Sequence, residues 1–431
     1  MKRVKSRILS LCLPVLAFSA LSFSTFPAAA QHEPDYASVQ AANDFVDIAF
    51  PATESVGESA PSVAETSGDT SAFTPDGRWL FVQTFRRDTT PQTKKHWGYH
   101  INKIDTQSGK IVGDIPIALD TWAGNPLLPL LKGVPGLKPN DITVSAIGAS
   151  DKHLAVLIDA KGSRQDYVVV LFDVNSGKPV KLLDGKPLKA TYLDTPVFSA
   201  DGRYLTASGG QGRQMLYVWD TASGKLLSHF ERQRQDSDRQ PAFAVLGQEL
   251  LYLGDETDDD HHNAFYSLNL ASGSSRQVFG GSPWRFASSP TMATISPSGS
   301  KVYIEACNSD DDGPAACGNN DAPGRIFSLP GFDPVVSLDP FDGDLDLSEA
   351  VDSRYLQWSR DEEHLLLAGH PRSEPGDFAL VMNVGSGRPE KILKLPIRHD
   401  SLLVTGIRGD AFLVLGLQPR SPFLRLVRIP S

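Results

Sequence analysis

A two-part pattern that recurs along the chain constrains its fold more than any other feature. The first part is a polar turn that opens an apolar run, as in FTPDGRWLFVQT (Phe73–Thr84) and FSADGRYLTASG (Phe198–Gly209). The second part is an apolar run that ends in Asp or Asn before a Ser-Gly turn, as in VLFDVNSGK (Val170–Lys178) and YVWDTASGK (Tyr217–Lys225). Seven such pairs follow one another through residues 71–431. Their spacing of roughly 45 to 75 residues is typical of one small sheet with its loops.

Each repeat predicts four short strands. Asp-Gly and Ser-Gly favour tight turns because Gly accepts a positive φ and Asp caps its own turn. A four-stranded sheet of this size cannot bury both faces alone, and radial stacking of such sheets buries them. We therefore expect an all-β protein, a seven-bladed β-propeller of four-stranded antiparallel blades. The last repeat has no outer strand of its own, so a strand at 44–50 is expected to close the ring.

The repeat YVWDTASGK, with the FSADGRYLTASG that precedes it, resembles the WD40 repeat and the related YVTN-type repeats of bacterial propellers. The likeness covers the repeats of residues 71–431 and implies a fold more than a function. The Gly-His pair that true WD40 repeats carry early in each repeat is missing from those positions, and Trp-Asp occurs once, at Trp219 and Asp220. We expect Trp219 to pack between blades and Asp220 to end its strand at a turn.

The N-terminal region predicts export. A basic start, an apolar run and the small residues Ala28, Ala29 and Ala30 are typical of a signal peptide spanning 1–30. A transmembrane reading is weaker because Ser and Pro interrupt the run and no basic stop-transfer cluster follows it. Residues 31–70 read as a disordered leader, apart from the possible closing strand, and 71–431 as the propeller.

The charge and the cysteine content of the chain indicate which kinds of partner it can bind and in which compartment it is located. The signal holds four of the 41 Lys and Arg residues, so the mature chain has 37 basic and 51 acidic residues, a net charge of −14. No basic cluster suggests nucleic-acid binding. Cys307 and Cys317 are the two cysteines that remain after the signal, and in an exported chain they are expected to form a disulfide. The periplasm is the expected location, with no transmembrane anchor.

Two acidic segments are weak candidates for metal binding, and no cofactor is predicted. The first, DETDDDHHNAF, contains Asp258, Asp260 and His261, which could hold a divalent cation or simply lie on a solvated hairpin. The second, DPFDGDLDLSE, contains Asp342, Asp344 and Asp346, and its spacing departs from that of a calcium-binding loop. Calcium remains the less favoured alternative.

Two further segments are candidate partner surfaces. HWGYH reads as an aromatic loop in which Trp97 and Tyr99 are exposed, and in which His96 and His100, if on a strand, lie too far apart to share a metal. Residues 118–140 interrupt the repeats with an apolar, Pro-rich stretch, which either packs over one mouth of the ring or docks a partner. The surface residues expected in that stretch are Trp122, Leu127, Leu128, Leu130 and Leu131.

The absence of common catalytic motifs favours a binding function. The chain has no Gly-x-Ser-x-Gly, no Cys-x-x-Cys-His, no P-loop and no dinucleotide fingerprint. We expect a monomeric, exported propeller that binds another envelope protein. A role without catalysis is the favoured interpretation. A cell-envelope sensor that pairs with neighbouring proteins is a further possibility. A propeller enzyme, such as a lactonase, another hydrolase or a dehydrogenase subunit with its site in the central channel, is the alternative.

Overall fold

The structure is a computed structural model of the chain. It describes the following residues: 40–41, 45–49, 71–88, 96–118, 127–132, 134, 142–160, 166–185, 188–190, 192–193, 195–210, 214–231, 243–246, 248–255, 263–280, 284–286, 293–308, 324–338, 351–359, 361–369, 378–394, 402–408, 411–417 and 423–429. The side chains of some residues within the strands also lie outside this description.

Short strands account for nearly all of the described backbone. Two precede the repeats, β1 (Gln40–Ala41) and β2 (Phe45–Ala49). The first sheet contains β3 (Ser71–Phe73), β4 (Trp79–Asp88), β5 (His96–Asp105) and β6 (Lys110–Ala118). A single helical turn, α1 (Leu128–Leu131), follows it. The second sheet contains β7 (Ile142–Ala149), β8 (His153–Ala160), β9 (Asp166–Asp173), β10 (Pro179–Leu182) and β11 (Leu188–Lys189). The third contains β12 (Tyr192–Leu193), β13 (Val197–Phe198), β14 (Tyr204–Gly210), β15 (Gln214–Asp220) and β16 (Leu226–Glu231).

The remaining strands form four further sheets. The fourth sheet contains β17 (Phe243–Leu246), β18 (Glu249–Asp255), β19 (Asn263–Asn269) and β20 (Ser275–Phe279). The fifth contains β21 (Trp284–Phe286), β22 (Ala293–Ile295), β23 (Lys301–Asn308), β24 (Gly324–Ser328) and β25 (Asp333–Ser337). The sixth contains β26 (Val351–Trp358), β27 (His364–Gly369), β28 (Phe378–Asn383) and β29 (Pro389–Lys394). The seventh contains β30 (Leu402–Arg408), β31 (Ala411–Leu417) and β32 (Phe423–Ile429).

The two N-terminal strands join the last two sheets. β1 pairs parallel with β29 at the outer edge of the sixth sheet. β2 pairs antiparallel with β32, with Phe45 opposite Val427 and Ala49 opposite Phe423. Each of the first six sheets thus contains at least four strands that follow one another in the chain. The seventh has three such strands and takes its outer strand from the N-terminal region.

Buried apolar side chains hold each sheet against the next. One cluster joins the first and second sheets through Phe81 and Val144, and another joins the second and third through Leu157 and Leu205. Equivalent clusters join the third to the fourth, the fourth to the fifth and the fifth to the sixth sheet. Sequential, face-to-face packing of four-stranded antiparallel sheets is the architecture of a β-propeller. The expected all-β, WD40-like propeller is therefore confirmed.

A further cluster packs the seventh sheet against the first. Ile48 of β2 and Leu426 of β32 are buried with Leu80, Val82 and Ile104 of the first sheet. On the other side of the seventh sheet, β30 contacts β26 of the sixth. Residues from both ends of the repeat region therefore share one core.

Candidate functional site

The Ser-Gly turns place an acidic or amide side chain at the end of a strand. Asp220 Oδ1 accepts a hydrogen bond of 2.6 Å from Ser223 N, and Asp173 Oδ1 accepts one of 2.7 Å from Ser176 N. These backbone hydrogen bonds hold the pKa of each carboxyl below its ordinary value. The neighbouring Trp219 is buried in the core between the second and third sheets. Both residues of the Trp-Asp pair therefore have the architectural roles expected from the sequence.

Immediately after the turn, the outer strand carries a β-bulge in the first, second, third, fifth and sixth sheets. In the first sheet Lys103 pairs with Gly113 and Ile104 with Ile111, so Val112 is the extra residue. The same irregularity makes Val180 the extra residue in the second sheet and Leu227 in the third. In the fifth sheet the extra residue is Val335. A bulge re-aims a side chain at the sheet edge, which is why these residues leave the apolar alternation.

The bulges expose aliphatic side chains at the perimeter of the propeller. Val112 is 54% exposed, Val180 48%, Val335 49% and Leu227 43%. Large aliphatic side chains lose about 1.5–3 kcal/mol of transfer free energy when they remain in water instead of being buried. Four repeats therefore expose an aliphatic side chain to solvent at equivalent positions. These four side chains are the first component of a candidate interaction surface.

Three of the four bulges lie two residues after an exposed lysine. The turns of the first three sheets read Ser-Gly-Lys, and Lys110, Lys178 and Lys225 are all exposed. Within the described part of the chain, no ion pair engages these three ammonium groups. The fifth sheet differs, because Asp333 takes the position two residues before Val335. We call Lys110, Val112, Lys178, Val180, Lys225 and Leu227 the basic–aliphatic rim.

The turns of the second and third sheets pack closely against the outer strand of the preceding sheet. A Cβ built on Gly177 of the second sheet would lie 3.3 Å from Ile115 Cγ1, on the outer strand of the first. A Cβ built on Gly224 of the third sheet would lie 2.6 Å from Lys181 Cδ, on the outer strand of the second. Both turns therefore rest on the outer strand of the preceding sheet, at a residue three positions beyond Val112 in the first case and one position beyond Val180 in the second.

A buried polar group in the first sheet was not predicted from the sequence. His100 is almost completely buried, and its Nδ1 lies 3.0 Å from Asp114 Oδ1. On the same strand, Asn102 Nδ2 donates a 2.9 Å hydrogen bond to Thr84 Oγ1, while Asn102 Oδ1 is buried without a described partner. HWGYH is part of strand β5, so the expected aromatic loop is wrong. Strand pairing with β6 brings Asp114 to His100 from fourteen residues away, which no local motif could indicate.

Lys103 on β5 joins the first two sheets. Its Nζ donates a 2.8 Å hydrogen bond to Val174 O of the second sheet and lies 3.8 Å from the centre of the Trp79 ring. Burial, with a smaller contribution from the Arg78 charge, lowers the pKa of Lys103. The contacts are those of a structural tie between blades.

The Pro-rich segment is largely part of the core. Leu127 and Leu131 are fully buried in the cluster that joins the first and second sheets, and Leu130 packs against it. Leu127 and Leu131 therefore cannot form the expected partner surface; burying them satisfies the apolar character that suggested docking. Leu128 is partly buried, and Trp122 lies outside the described residues.

The other predicted residues have mixed outcomes. Tyr99 is only partly exposed and packs against the core between the first two sheets, so its expected exposure is wrong. The backbone of Trp97 belongs to β5, but its side chain lies outside the description. Cys307 lies near the end of β23, while Cys317 is outside the described residues, so the disulfide stays a prediction.

The metal candidates lie outside the described residues. These candidates are Asp258, Asp260, His261, Asp342, Asp344 and Asp346. Among the residues that are described, no group of three or more His, Cys, Asp or Glu side chains could hold a metal ion. The described part of the chain also contains no helix with the length and apolarity needed to cross a membrane.

Comparison with solved structures finds similar chains at low sequence identity. TolB from Acinetobacter baumannii is 14% identical, with 81% of this chain and 80% of that chain covered and a TM-score of 0.38. The Pan2 WD40 domain of Neurospora crassa is 11% identical, with 91% and 98% covered and a TM-score of 0.49. The Cps50 (Swd1) β-propeller domain of Myceliophteria thermophila is also 11% identical, with 89% and 100% covered and a TM-score of 0.49.

Other comparisons return nothing. No family model matches the chain, and no curated protein matches it.

Proposed function

We propose that this chain is an exported propeller that binds another protein of the cell envelope and acts as a scaffold rather than as a catalyst. The observation that carries the proposal is the set of four bulges that direct Val112, Val180, Leu227 and Val335 into solvent. Exposed aliphatic side chains at the same position of several blades offer a partner a repeated set of apolar contacts. A propeller fold is well suited to this role because it offers a rigid perimeter built from equivalent blades.

We further propose that all seven sheets form one closed ring of blades. The support is the core that Ile48 and Leu426 share with Leu80 and Val82 of the first sheet. β2 stands at the edge of the seventh sheet, where the other blades have their own outer strand. A closed ring protects the inner strands and leaves the outer perimeter as the accessible surface.

The periplasm is the proposed location. The proposal depends on the signal-peptide pattern of residues 1–30 and on the pair Cys307 and Cys317, which suits an oxidising compartment. Mass spectrometry of the protein from the periplasmic fraction of a Gram-negative host should give a chain that begins at Gln31. A cytoplasmic protein that retains Met1 and free thiols would contradict this location.

Photo-crosslinking in cells tests the scaffold role. p-Benzoyl-phenylalanine is placed singly at Val112, Val180, Leu227 and Val335, whose exposure allows the substitution without loss of core packing. Ultraviolet light should produce adducts with an envelope protein from at least one position. Adducts from none of the four, together with a protein that elutes from periplasmic extracts as a lone monomer, would overturn the proposal.

Deleting the Pro-rich segment would not test binding alone. Removing residues 126–137 would take Leu127 and Leu131 out of the core between the first two sheets. Losing two buried leucines costs about 2–5 kcal/mol each, so the deletion would report on folding as much as on binding. Single surface substitutions avoid this ambiguity.

A further inference from the structure

The basic–aliphatic rim combines two chemical features in the same order on three successive blades. Each copy has an exposed lysine at the start of the outer strand and an exposed aliphatic residue two positions later. At these two positions the fourth sheet has Ser274 and Arg276 and the sixth has Arg388 and Glu390, whereas the fifth has Asp333 in place of the lysine. The combination is therefore confined, among the described outer strands, to the first three sheets.

We propose that the rim binds an extended acidic segment of a partner protein that also carries aliphatic side chains. This proposal rests on the proposed scaffold function and names the surface and the partner chemistry. Carboxylates of such a segment would pair with Lys110, Lys178 and Lys225, and its aliphatic groups would cover Val112, Val180 and Leu227. Each aliphatic contact would remove apolar area from water. The ion pair beside it would orient the approaching partner.

The dimensions favour an extended segment. Packed sheets lie about 10 Å apart, so three successive outer strands span at least about 20 Å. An extended chain advances about 3.3 Å per residue, so at least about six residues reach from the first pair to the third. The Gly177 and Gly224 turns rest on the outer strand of the preceding sheet, so the outer strands of the three sheets are in direct contact with the next turn.

Charge favours a protein segment over a lipid surface. The full chain has a net charge of −10, so a broad anionic membrane would face mostly acidic surface, whereas a segment of about six residues would contact only the rim. One roughly half-exposed aliphatic side chain per blade is also too little for insertion into acyl chains. Three lysines without described ion pairs instead match a short run of carboxylates.

The test measures binding of a fluorescein-labelled 12-residue peptide of alternating Glu and Leu to the full mature protein by fluorescence anisotropy. The first variant, K110E/K178E/K225E, reverses the rim charges and should weaken binding at least tenfold. The second, V112S/V180S/L227S, removes the aliphatic groups and should weaken it about fivefold or more. Raising NaCl from 50 to 300 mM should also weaken binding by the native protein, because the lysines are exposed.

The matched control is V335S. Val335 is also a bulge residue with comparable exposure, but it lies outside the rim and beside Asp333. Its substitution should leave peptide binding unchanged, and thermal melting of all variants should match that of the native protein. A peptide of alternating Glu and Ser should bind more weakly than the Glu-Leu peptide, since it offers no aliphatic contacts.

Three results would overturn the proposal. The first is equal peptide affinity for the rim variants and V335S, and the second is no binding by the native protein. The third is sedimentation with phosphatidylglycerol vesicles that the rim substitutions abolish, which would assign the rim to lipid. Crosslinks from position 335 with no peptide binding at the rim would overturn this inference alone. Absence of crosslinks from every position, together with a protein that elutes as a lone monomer, would overturn the scaffold role as well.

Discussion

Gly109 of the first sheet packs directly against Val46 of β2: a Cβ built on Gly109 would lie 2.5 Å from Val46 Cγ1. The contact repeats the geometry by which Gly177 meets Ile115 and Gly224 meets Lys181 on preceding outer strands. β2 is the outer strand of the seventh sheet, so the turn of the first sheet rests on it as the turns of the second and third sheets rest on the outer strands before them. A segment far from the last repeat in sequence thus completes the surface on which the first repeat rests.

Substituting Gly109 with Ala should destabilise the protein through this contact. Gly109 has a φ of +67°, so Ala brings both backbone strain and a clash with Val46. Gly185 has a φ of +64° and open space around its Cα, so G185A isolates the strain. We expect about 1 kcal/mol for G185A and about 1–3 kcal/mol more for G109A, measured by urea denaturation. Equal losses in the two variants would argue against a close contact with β2.

The E362Q substitution should weaken the junction between the fifth and sixth sheets. Glu362 Oε1 accepts a 2.6 Å hydrogen bond from Ser298 N, and Oε2 accepts one of 2.8 Å from Ser300 Oγ. A Gln amide retains only one acceptor oxygen, so one donor loses its partner. We expect a loss of about 1–3 kcal/mol in unfolding free energy at pH 7. The exposed neighbour provides the control, and E363Q should change stability by less than about 0.5 kcal/mol.

The cost of E362Q should also depend on pH. Burial raises the pKa of Glu362, but the hydrogen bonds from Ser298 and Ser300 outweigh burial and leave the pKa below its ordinary value of 4.5. The stabilisation is therefore fully present above pH 4.5 and is lost as the pH falls through the lower folded-state pKa. Native and E362Q proteins should converge in stability at low pH, and a constant difference would contradict the assignment.

Replacing Lys103 with Met should destabilise the junction between the first two sheets. Met retains the apolar stem but leaves Val174 O without the Nζ donor and removes the cation from the Trp79 ring. We expect a loss of about 1–3 kcal/mol, measured by urea denaturation. Lys152 is exposed, so K152M should stay within about 0.5 kcal/mol of the native protein. Equal effects of the two substitutions would show that the hydrogen bond is not stabilising.

Acidification should destabilise the protein through His153. Burial lowers the pKa of His153 below 6.5, with Asp173 opposing the shift and Lys181 and Lys152 adding to it. The unfolded chain then binds the proton more readily, so stability is present above pH 6.5 and falls as the pH drops through that value. Urea midpoints at pH 7.5, 6.5 and 5.5 should decrease in the native protein and decrease less in H153Q. Parallel decreases would assign the pH dependence to other groups.

The strands and turns follow from local sequence patterns. Ser-x-Asp-Gly and Asp-x-x-Ser-Gly place a capping carboxylate and a residue with positive φ within five positions, so each turn can form from its own residues. Asp201, for example, accepts hydrogen bonds from Ser199 Oγ and Arg203 N. Alternating apolar residues between such turns then predict paired strands that bury their faces. The WD40-like propeller could be expected from these patterns because each repeat contains the same local information.

The candidate surface could not be found in the same way. SGKIV, SGKPV and SGKLL continue the apolar character of the outer strands, so the sequence favours burial of Val112, Val180 and Leu227. Conversely, the apolar run around Leu127 and Leu131 is compatible with either packing against the propeller or docking a partner, and both leucines are buried. Pairing decides these outcomes, because a bulge changes which face a residue occupies and a neighbouring sheet determines what can cover it.

Local residue chemistry alone was therefore sufficient to specify the repeats, their turns and the roles of Trp219 and Asp220. The pairing of His100 with Asp114, the docking of Gly109 on Val46 and the outward direction of the rim residues required assembly of the sheets. These relationships depend on strand register and on contacts between residues far apart in the chain. Neither is encoded in the spacing of a single repeat, because a one-residue change of register reverses which side chains meet solvent.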